Sequence, residues 1–264
     1  MNNPITDMSR SLVILAKWPD GEQSKTRLAQ TLGRPQAMEL ARAFLRDTLW
    51  RYASLSVRKV LAYAPADAEP SFATLAGKDY ILRPQTSGDL GARLQNLLLE
   101  EWQNGVTEVV FLGTDSPTLP LDWLDEAFAL LSRVDVVLGP AYDGGYYLLG
   151  CRRSLRWLVL LDKLSLVPLT PGAPPIEPTP SSPVNSLRLP LFAEIDWGTP
   201  RVLQQTLRQI ESANLTLALL PVWYDVDTAD DWAFLKTHAT AWLYAGGEPL
   251  IPNTEILFTE TGHE

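Results

Sequence analysis

Cysteine is almost missing. The 264 residues hold one, Cys151, so no intramolecular disulfide can form. Histidine is nearly as scarce, with only His238 and His263, both near the C-terminus. A Cys/His zinc cage has too few members to assemble, and the same shortage disfavours Ser–His–Asp catalysis. Positive charge is the minority sign: 22 Lys and Arg against 31 Asp and Glu give a net charge of −9 and a pI near 4.8. Phosphate binding over a broad surface needs the opposite balance, so nucleic acid is not an expected partner. No apolar run approaches the ~18 residues that span a bilayer. The opening "MNNPITDMSRSLVILAKW" holds too short an apolar stretch for a secretory signal. The expectation is a soluble, cytoplasmic protein with no membrane span.

What is present is enough for a sizeable core, since 46% of the residues are hydrophobic. The length suits one large domain, or one domain with decoration. Short aliphatic or β-branched runs at 12–16, 57–63, 80–82, 107–112 and 135–138 alternate with longer stretches of helical period, at 36–52, 90–102 and 121–132. Alternating βα units predict a mainly parallel sheet with helices on both faces. Residues 168–190 then hold eight of the chain's 21 prolines. Proline removes backbone donors and fixes φ, so regular structure is not expected there. After it the α/β character resumes, with helices at 199–210 and 229–244 and a strand at 215–220. The organisation expected is a single domain over 1–245 with a proline-rich insertion at about 152–190, and a tail over 246–264.

Four stretches carry candidate chemistry. In "LVILAKWPDGEQSKTRLAQTLG" (12–33) a strand runs into a loop with Lys17, Lys25 and Arg27, yet the glycine spacing of a P-loop is missing. A cationic loop after the first strand sits where doubly wound sheets bind ligands. Lys17 and Lys25 would act as point charges for phosphate and Arg27 as a two-oxygen fork; a solvated loop explains the same residues. In "FLGTDSPTLP" (111–120) Asp115 stands at a strand end, a place for a hard cation such as Mg²⁺ or Mn²⁺, or for a cap, with Thr118 able to cap the helix near Leu121. In "GPAYDGGYYLLG" (139–150) Gly144 and Gly145 permit a tight turn or a close ligand approach. Asp143 is there a turn residue, a hydroxyl acceptor or a base.

In "WYDVDTADDW" (223–232) Asp225 and Asp227 lie two apart after a strand and point the same way, a spacing able to hold one divalent ion. Asp230 and Asp231 read instead as the acidic start of a helix capped by Thr228. A smaller signal is "TSGDLGARL" (86–94). There Gly88, Asp89 and Gly91 precede a helix and suit either an anion or base edge, or a plain cap.

The ordered succession "AKWPDGEQSKTRL", "GDLGARL", "GTDSPTLP", "GPAYDGGYYLLG", "DWGTP" and "DVDTADD" resembles the bacterial DUF2064 family, called radical-SAM/selenodomain-associated transferase 1 and linked to arsenosugar biosynthesis. The match spans roughly residues 10–235. The resemblance implies a GT-A fold of the nucleotide-diphospho-sugar transferase superfamily, a Rossmann-like α/β sheet flanked by helices. It is similar, more distantly, to guanylyltransferases of cofactor biosynthesis. Carried over by position, Lys17, Lys25 and Arg27 would hold nucleotide phosphate. Gly88, Asp89 and Gly91 would add to the nucleotide site, and Asp115, with Asp225 or Asp227, would hold Mg²⁺ or Mn²⁺. Gly144 and Gly145 would border the acceptor pocket, with Asp143 as base.

The implied activity is glycosyl transfer from a nucleotide sugar to a small-molecule acceptor. Nucleotidyl transfer from a nucleoside triphosphate is the alternative, and a non-catalytic nucleotide-binding scaffold for a radical-SAM enzyme is a third. The chain departs from the family in its long segment between "GYYLLG" and "DWGTP", whose apolar start "LRWLVLLDKLSLVPL" would lie over the acceptor site or bind a partner. It departs also in the acidic Glu22 of the first loop.

Overall fold

The computed structural model describes residues 7–20, 25–163 and 188–258. The described strands form one seven-stranded sheet. In chain order they are β1 Asp7–Lys17, β2 Val57–Ala64, β3 Ile81–Pro84, β4 Glu108–Leu112, β5 Val136–Pro140, β6 Tyr146–Arg152 and β7 Leu217–Leu219. The helices that cover them are α1 Thr26–Leu32, α2 Arg34–Tyr52, α3 Glu69–Ala76, α4 Leu90–Gln103, α5 Asp122–Leu131, α6 Leu155–Lys163, α7 Val202–Ser212, α8 Ala229–Tyr244 and α9 Pro252–Glu255.

The spatial order is β3-β2-β1-β4-β6-β5-β7. All neighbours pair in parallel except β6, which runs against both β4 and β5. The expected parallel sheet is thus interrupted by one reversed strand. A five-residue connection between β5 and β6, 141–145, is too short for a parallel crossover and forces the reversal. The order changes direction beside β1: β2 and β3 build outward on one side and β4 begins the other. Ligands of open α/β sheets bind outside the carboxyl ends of the strands at such a point.

The strand sequences explain why the sheet is buried on both sides. Every residue of β4 and of β5 is buried, as continuous Val/Leu/Phe runs require when helices cover both faces. Side chains alternate between the faces. Leu12 and Ile14 of β1, with Val110 and Leu112 of β4, pack under α2, α3 and α5. Val13 and, from β4, Val109 and Phe111 pack on the other face under α4, α6 and α7. A third apolar cluster joins Leu28, Leu40 and Phe44 to Val226, Trp232, Leu235 and Ile251, fastening α1, α2 and α8 beside the sheet.

Two boundaries differ from the sequence expectation. The apolar start of the long segment, expected as part of the insertion, belongs to the core as far as it is described. Over Leu155–Lys163 it is helix α6, with Trp157 and Leu161 buried on the sheet and Trp157 packed edge-on against Trp102. Leu189, Leu191 and Phe192 return to the same cluster. The remainder of the proline-rich stretch, 164–187, lies outside the described residues. The expected tail is also ordered as far as 258: Ile251 and Thr254 are fully buried, and α9 docks on α2 through Asp47. No helix among the described residues is long and apolar enough to cross a membrane.

Candidate active site

Three strand ends meet at the carboxyl edge of the sheet. β4 delivers Asp115 after Gly113, the β5–β6 turn delivers Asp143, and the chain leaving β7 delivers Asp225 and Asp227. Backbone bonds tie these pieces together. Val226 N–H donates to Asp115 O at 2.8 Å, Tyr142 N–H to Trp223 O at 3.2 Å, and Trp223 N–H to Pro140 O at 3.0 Å. Between them lies a cleft of about 600 Å³ lined by Arg27, Tyr142, Asp143, Tyr224, Asp225, Asp227, Thr228, Asp231 and Phe234.

The carboxylates are held in different ways. Asp143 accepts from Gly145 N–H at 2.8 Å through Oδ1, so it shapes the turn and still lines the cleft. Asp225 accepts a short hydrogen bond from Ser116 Oγ. Burial pushes the Asp225 carboxyl up to about 7; the Ser116 bond opposes this, and the charges of Asp115, Asp143 and Asp227 add to it. Asp231 is a capping residue. Its carboxylate accepts from Thr228 N–H at 2.8 Å, and Thr228 Oγ1 accepts from Asp231 N–H at 3.2 Å, a reciprocal capping box that starts α8. Replacing the cap, Thr228→Ala, is expected to cost about 1 kcal/mol in a urea melt. Thr118 does not cap α5. Its hydroxyl meets Tyr224 OH at 2.8 Å, and that hydroxyl meets His238 Nδ1 at 2.7 Å, a buried polar chain behind the cleft.

The cations of the first loop separate. Lys17 is exposed at the end of β1, and Arg27 is exposed on α1 and lines the cleft. Lys25 is enclosed. Its ammonium lies 2.5 Å from Asp115 Oδ1 and 2.9 Å from Asp227 Oδ1, and donates to Val226 O at 2.7 Å. All three of its N–H bonds are therefore used within the protein, which leaves it none for a phosphate in this arrangement. Residues 21–24 of the loop, Glu22 among them, lie outside the described residues.

The second glycine motif sits elsewhere. Asp89 caps α4 by accepting from Ala92 N–H at 2.9 Å, and pairs with Arg188 through both oxygens at 2.8 and 3.1 Å. The guanidinium bond holds the Asp89 carboxyl below its usual range. Gly88 takes a φ of +106°, and a Cβ on Gly91 would meet Trp197 Nε1 at 2.7 Å. These residues border a separate cleft of about 620 Å³ formed by Asp89, Arg188 and 192–196. There Asp89 is paired with Arg188 and Asp196 with Arg201.

Sequence reasoning did not single out Tyr142, Tyr224 or Phe234 as site residues, nor Ser116 as the partner of Asp225. Tyr142 and Tyr224 stand inside quoted motifs, adjacent to Asp143 and Asp225. Phe234 lies one helical turn beyond the acidic start of α8, a position no local pattern marks.

The chemistry of the donor set fits a hard divalent ion. Asp115, Asp225 and Asp227 offer only oxygen; burial raises the Asp225 carboxyl, and the charges of its carboxylate neighbours, which add to that rise, are what a cation relieves. The set faces a common space without forming a ready-made cage: among the described residues, no three Asp, Glu, His or Cys groups stand grouped as a metal site. Asp115, Asp225 and Asp227 are the residues that would hold the ion; two of them, Asp115 and Asp227, are paired with Lys25.

This sheet, reversed strand and carboxyl-edge cleft define the architecture of the nucleotide-diphospho-sugar transferases. The same fold is seen in a protein of Desulfovibrio desulfuricans G20 assigned to that class, with a TM-score of 0.75, 27% sequence identity, and coverage of 96% of this chain and 94% of that one. Residues 50–164 match the family described as "Uncharacterized protein conserved in bacteria (DUF2064)", a span that includes Asp115 and Asp143. A curated relative, the 3-phospho-D-glycerate guanylyltransferase of Phenylobacterium zucineum (strain HLK1), is 32% identical over 139 residues. Those residues are 51% of this chain and 64% of that protein.

Proposed function

We propose that this chain is a cation-assisted transferase that moves a glycosyl group from a nucleotide-activated sugar to a small hydroxyl acceptor. The observation that carries the reading is the meeting of carboxylates from three strand ends, together with Arg27, at the carboxyl edge of a nucleotide-transferase fold. A divalent ion on Asp115 and Asp227, with Asp225 beside them, would supply neutralisation of the donor's diphosphate. The chain's own groups account for the rest. Arg27, as a planar fork at the mouth of the cleft, is suited to two phosphate oxygens, with Lys17 adding charge at the end of β1. Asp143 is fixed through Oδ1 by the Gly145 N–H, and its Oδ2 is the atom proposed to take the acceptor's proton. Tyr142 and Phe234, exposed and lining the cleft, would offer ring faces to the acceptor.

Nucleotidyl transfer is the second reading, favoured by the likeness to a guanylyltransferase. Calorimetric titration of the full chain with UDP-glucose, GDP-mannose, GTP and CTP, with and without Mn²⁺, separates the two. Cation-dependent affinity for a nucleotide sugar, with a nucleoside diphosphate released, supports glycosyl transfer. Preference for a triphosphate with pyrophosphate release supports the second. Binding that ignores both Mn²⁺ and Asp225→Asn/Asp227→Asn removes both and leaves a scaffold. Arg27→Ala is expected to weaken nucleotide affinity about tenfold in the same titration, the scale of one lost charge-assisted contact.

A further inference from the structure

Lys25 is an unusual cation for a ligand loop, because it is hidden while its partners are not. Its side chain is 7% exposed, whereas those of Asp115 and Asp227 are 48% and 38% exposed. The ammonium is filled by two carboxylates and the Val226 carbonyl, and it lies 5.7 Å from the centre of the Phe44 ring. Its backbone takes φ 47°, ψ 44°, the left-handed region that side chains beyond glycine seldom adopt, so the surrounding contacts hold it there. Burial alone would favour the neutral amine. The charges of Asp115 and Asp227, with their hydrogen bonds, outweigh it and keep the ammonium charged. What the geometry records is a single positive charge between two carboxylates that solvent, and any ion in it, can reach.

We propose that Lys25 is a built-in stand-in for the divalent cation: its ammonium holds Asp115 and Asp227 together until the ion takes that place. The displaced side chain then turns to the donor phosphate. The proposal rests on the cation-assisted reading above and goes further, because it makes ion binding and phosphate binding mutually dependent. A divalent ion carries twice the charge of an ammonium and draws the same hard oxygen ligands. Once it is bound, Lys25 has lost both carboxylate partners and a phosphate is the anion left to pair with it. Each ligand therefore strengthens the other by the same factor. Lys25 also has one anchor that does not move with the exchange, the 25–29 backbone turn that opens α1, in which Ala29 N–H donates to Lys25 O at 2.9 Å.

The test measures Mn²⁺ affinity of the full chain, by the electron paramagnetic resonance signal of free Mn²⁺, for the native protein and for Lys25→Met and Lys25→Arg. The expected result is about tenfold tighter Mn²⁺ binding by Lys25→Met without nucleotide, with Lys25→Arg remaining weak. The gain in Mn²⁺ affinity that UDP-glucose brings to the native protein is lost in Lys25→Met. Equal or weaker Mn²⁺ binding by a folded Lys25→Met overturns the proposal, as does the absence of Mn²⁺ binding in both proteins.

Should Lys25→Met not fold, the native chain supplies the reading. Labelling with acetic anhydride, followed by peptide mass spectrometry, should find Lys25 protected without Mn²⁺ and several-fold more reactive with it. Protection in both states, or reactivity in both, overturns the proposal. Apart from the UDP-glucose arm, Mn²⁺ affinity and labelling are read without nucleotide. A failure of the nucleotide titrations therefore sinks the proposed function and leaves this result to stand or fall by itself.

Discussion

Asp47→Ala is expected to cost about 3–5 kcal/mol of unfolding free energy, read as a fall in the urea midpoint with an unchanged slope. Asp47 is fully buried in the middle of α2 and accepts four hydrogen bonds from the C-terminal stretch. Its Oδ1 takes the backbone N–H and Nδ2 of Asn253, at 2.9 and 2.8 Å, and its Oδ2 takes the N–H and Oγ1 of Thr254, at 2.9 and 2.6 Å. Both N–H groups belong to the first turn of α9; that of Thr254 also reaches Ile251 O at 2.9 Å, whereas Asp47 is the acceptor for that of Asn253. Alanine removes all four bonds at once and leaves the Asn253 N–H and the buried Thr254 hydroxyl without this acceptor, which is the expensive case. Asp47→Asn keeps one acceptor and presents a donor where a second acceptor stood, so about half the loss is expected. A cost below 1 kcal/mol for Asp47→Ala would show that the stretch after α8 is not docked in solution.

Gly144→Ala is expected to destabilise by about 3 kcal/mol or more, and to remove whatever ligand affinity depends on Asp143. Gly144 takes a φ of +87°, and a Cβ there would lie 2.2 Å from Pro200 O. The obstacle is backbone, so no rotamer change relieves it. Gly144 O also accepts from Leu203 N–H at 2.9 Å, fastening the turn to the start of α7. Gly145→Ala is the control. Its φ is ordinary, and its nearest obstacle is the Asp143 side chain at 3.1 Å, so about 1 kcal/mol is expected. Urea melts of the pair settle it. Equal costs would show that the contact with Pro200 does not constrain the turn.

The readable parts of the site were those fixed by local rules. A strand's apolar run ends where its helix-bound loop begins, so Asp115, Asp143, Asp225 and Asp227 could be placed at carboxyl ends from their immediate neighbours. The Thr228 cap and the acidic start of α8 follow from a four-residue pattern and are found as expected. What could not be read depends on closures across the whole chain. Lys25 meets Asp115 and Asp227 only when three separate strand connections converge, and nothing near residue 25 states that its charge will be consumed there. Asp47 finds Asn253 and Thr254 in the same way. In sequence, helix α6 reads as part of an insertion because it runs directly into the prolines. Its period becomes meaningful only once the sheet supplies Trp102 as a partner for Trp157.

The two strands that end the sheet, β3 and β7, are its shortest. β3 has four residues and closes on Pro84, and β7 has three. An open edge is a template on which a strand of another chain can lay itself down, with risk rising with the length of the unpaired backbone it offers. Pro84 removes a donor from one of these edges, and three residues are too few to seat a foreign strand in register. Although its interior strands are rich in valine and leucine, the sheet thereby offers little unpaired backbone for edge-on growth at either described edge.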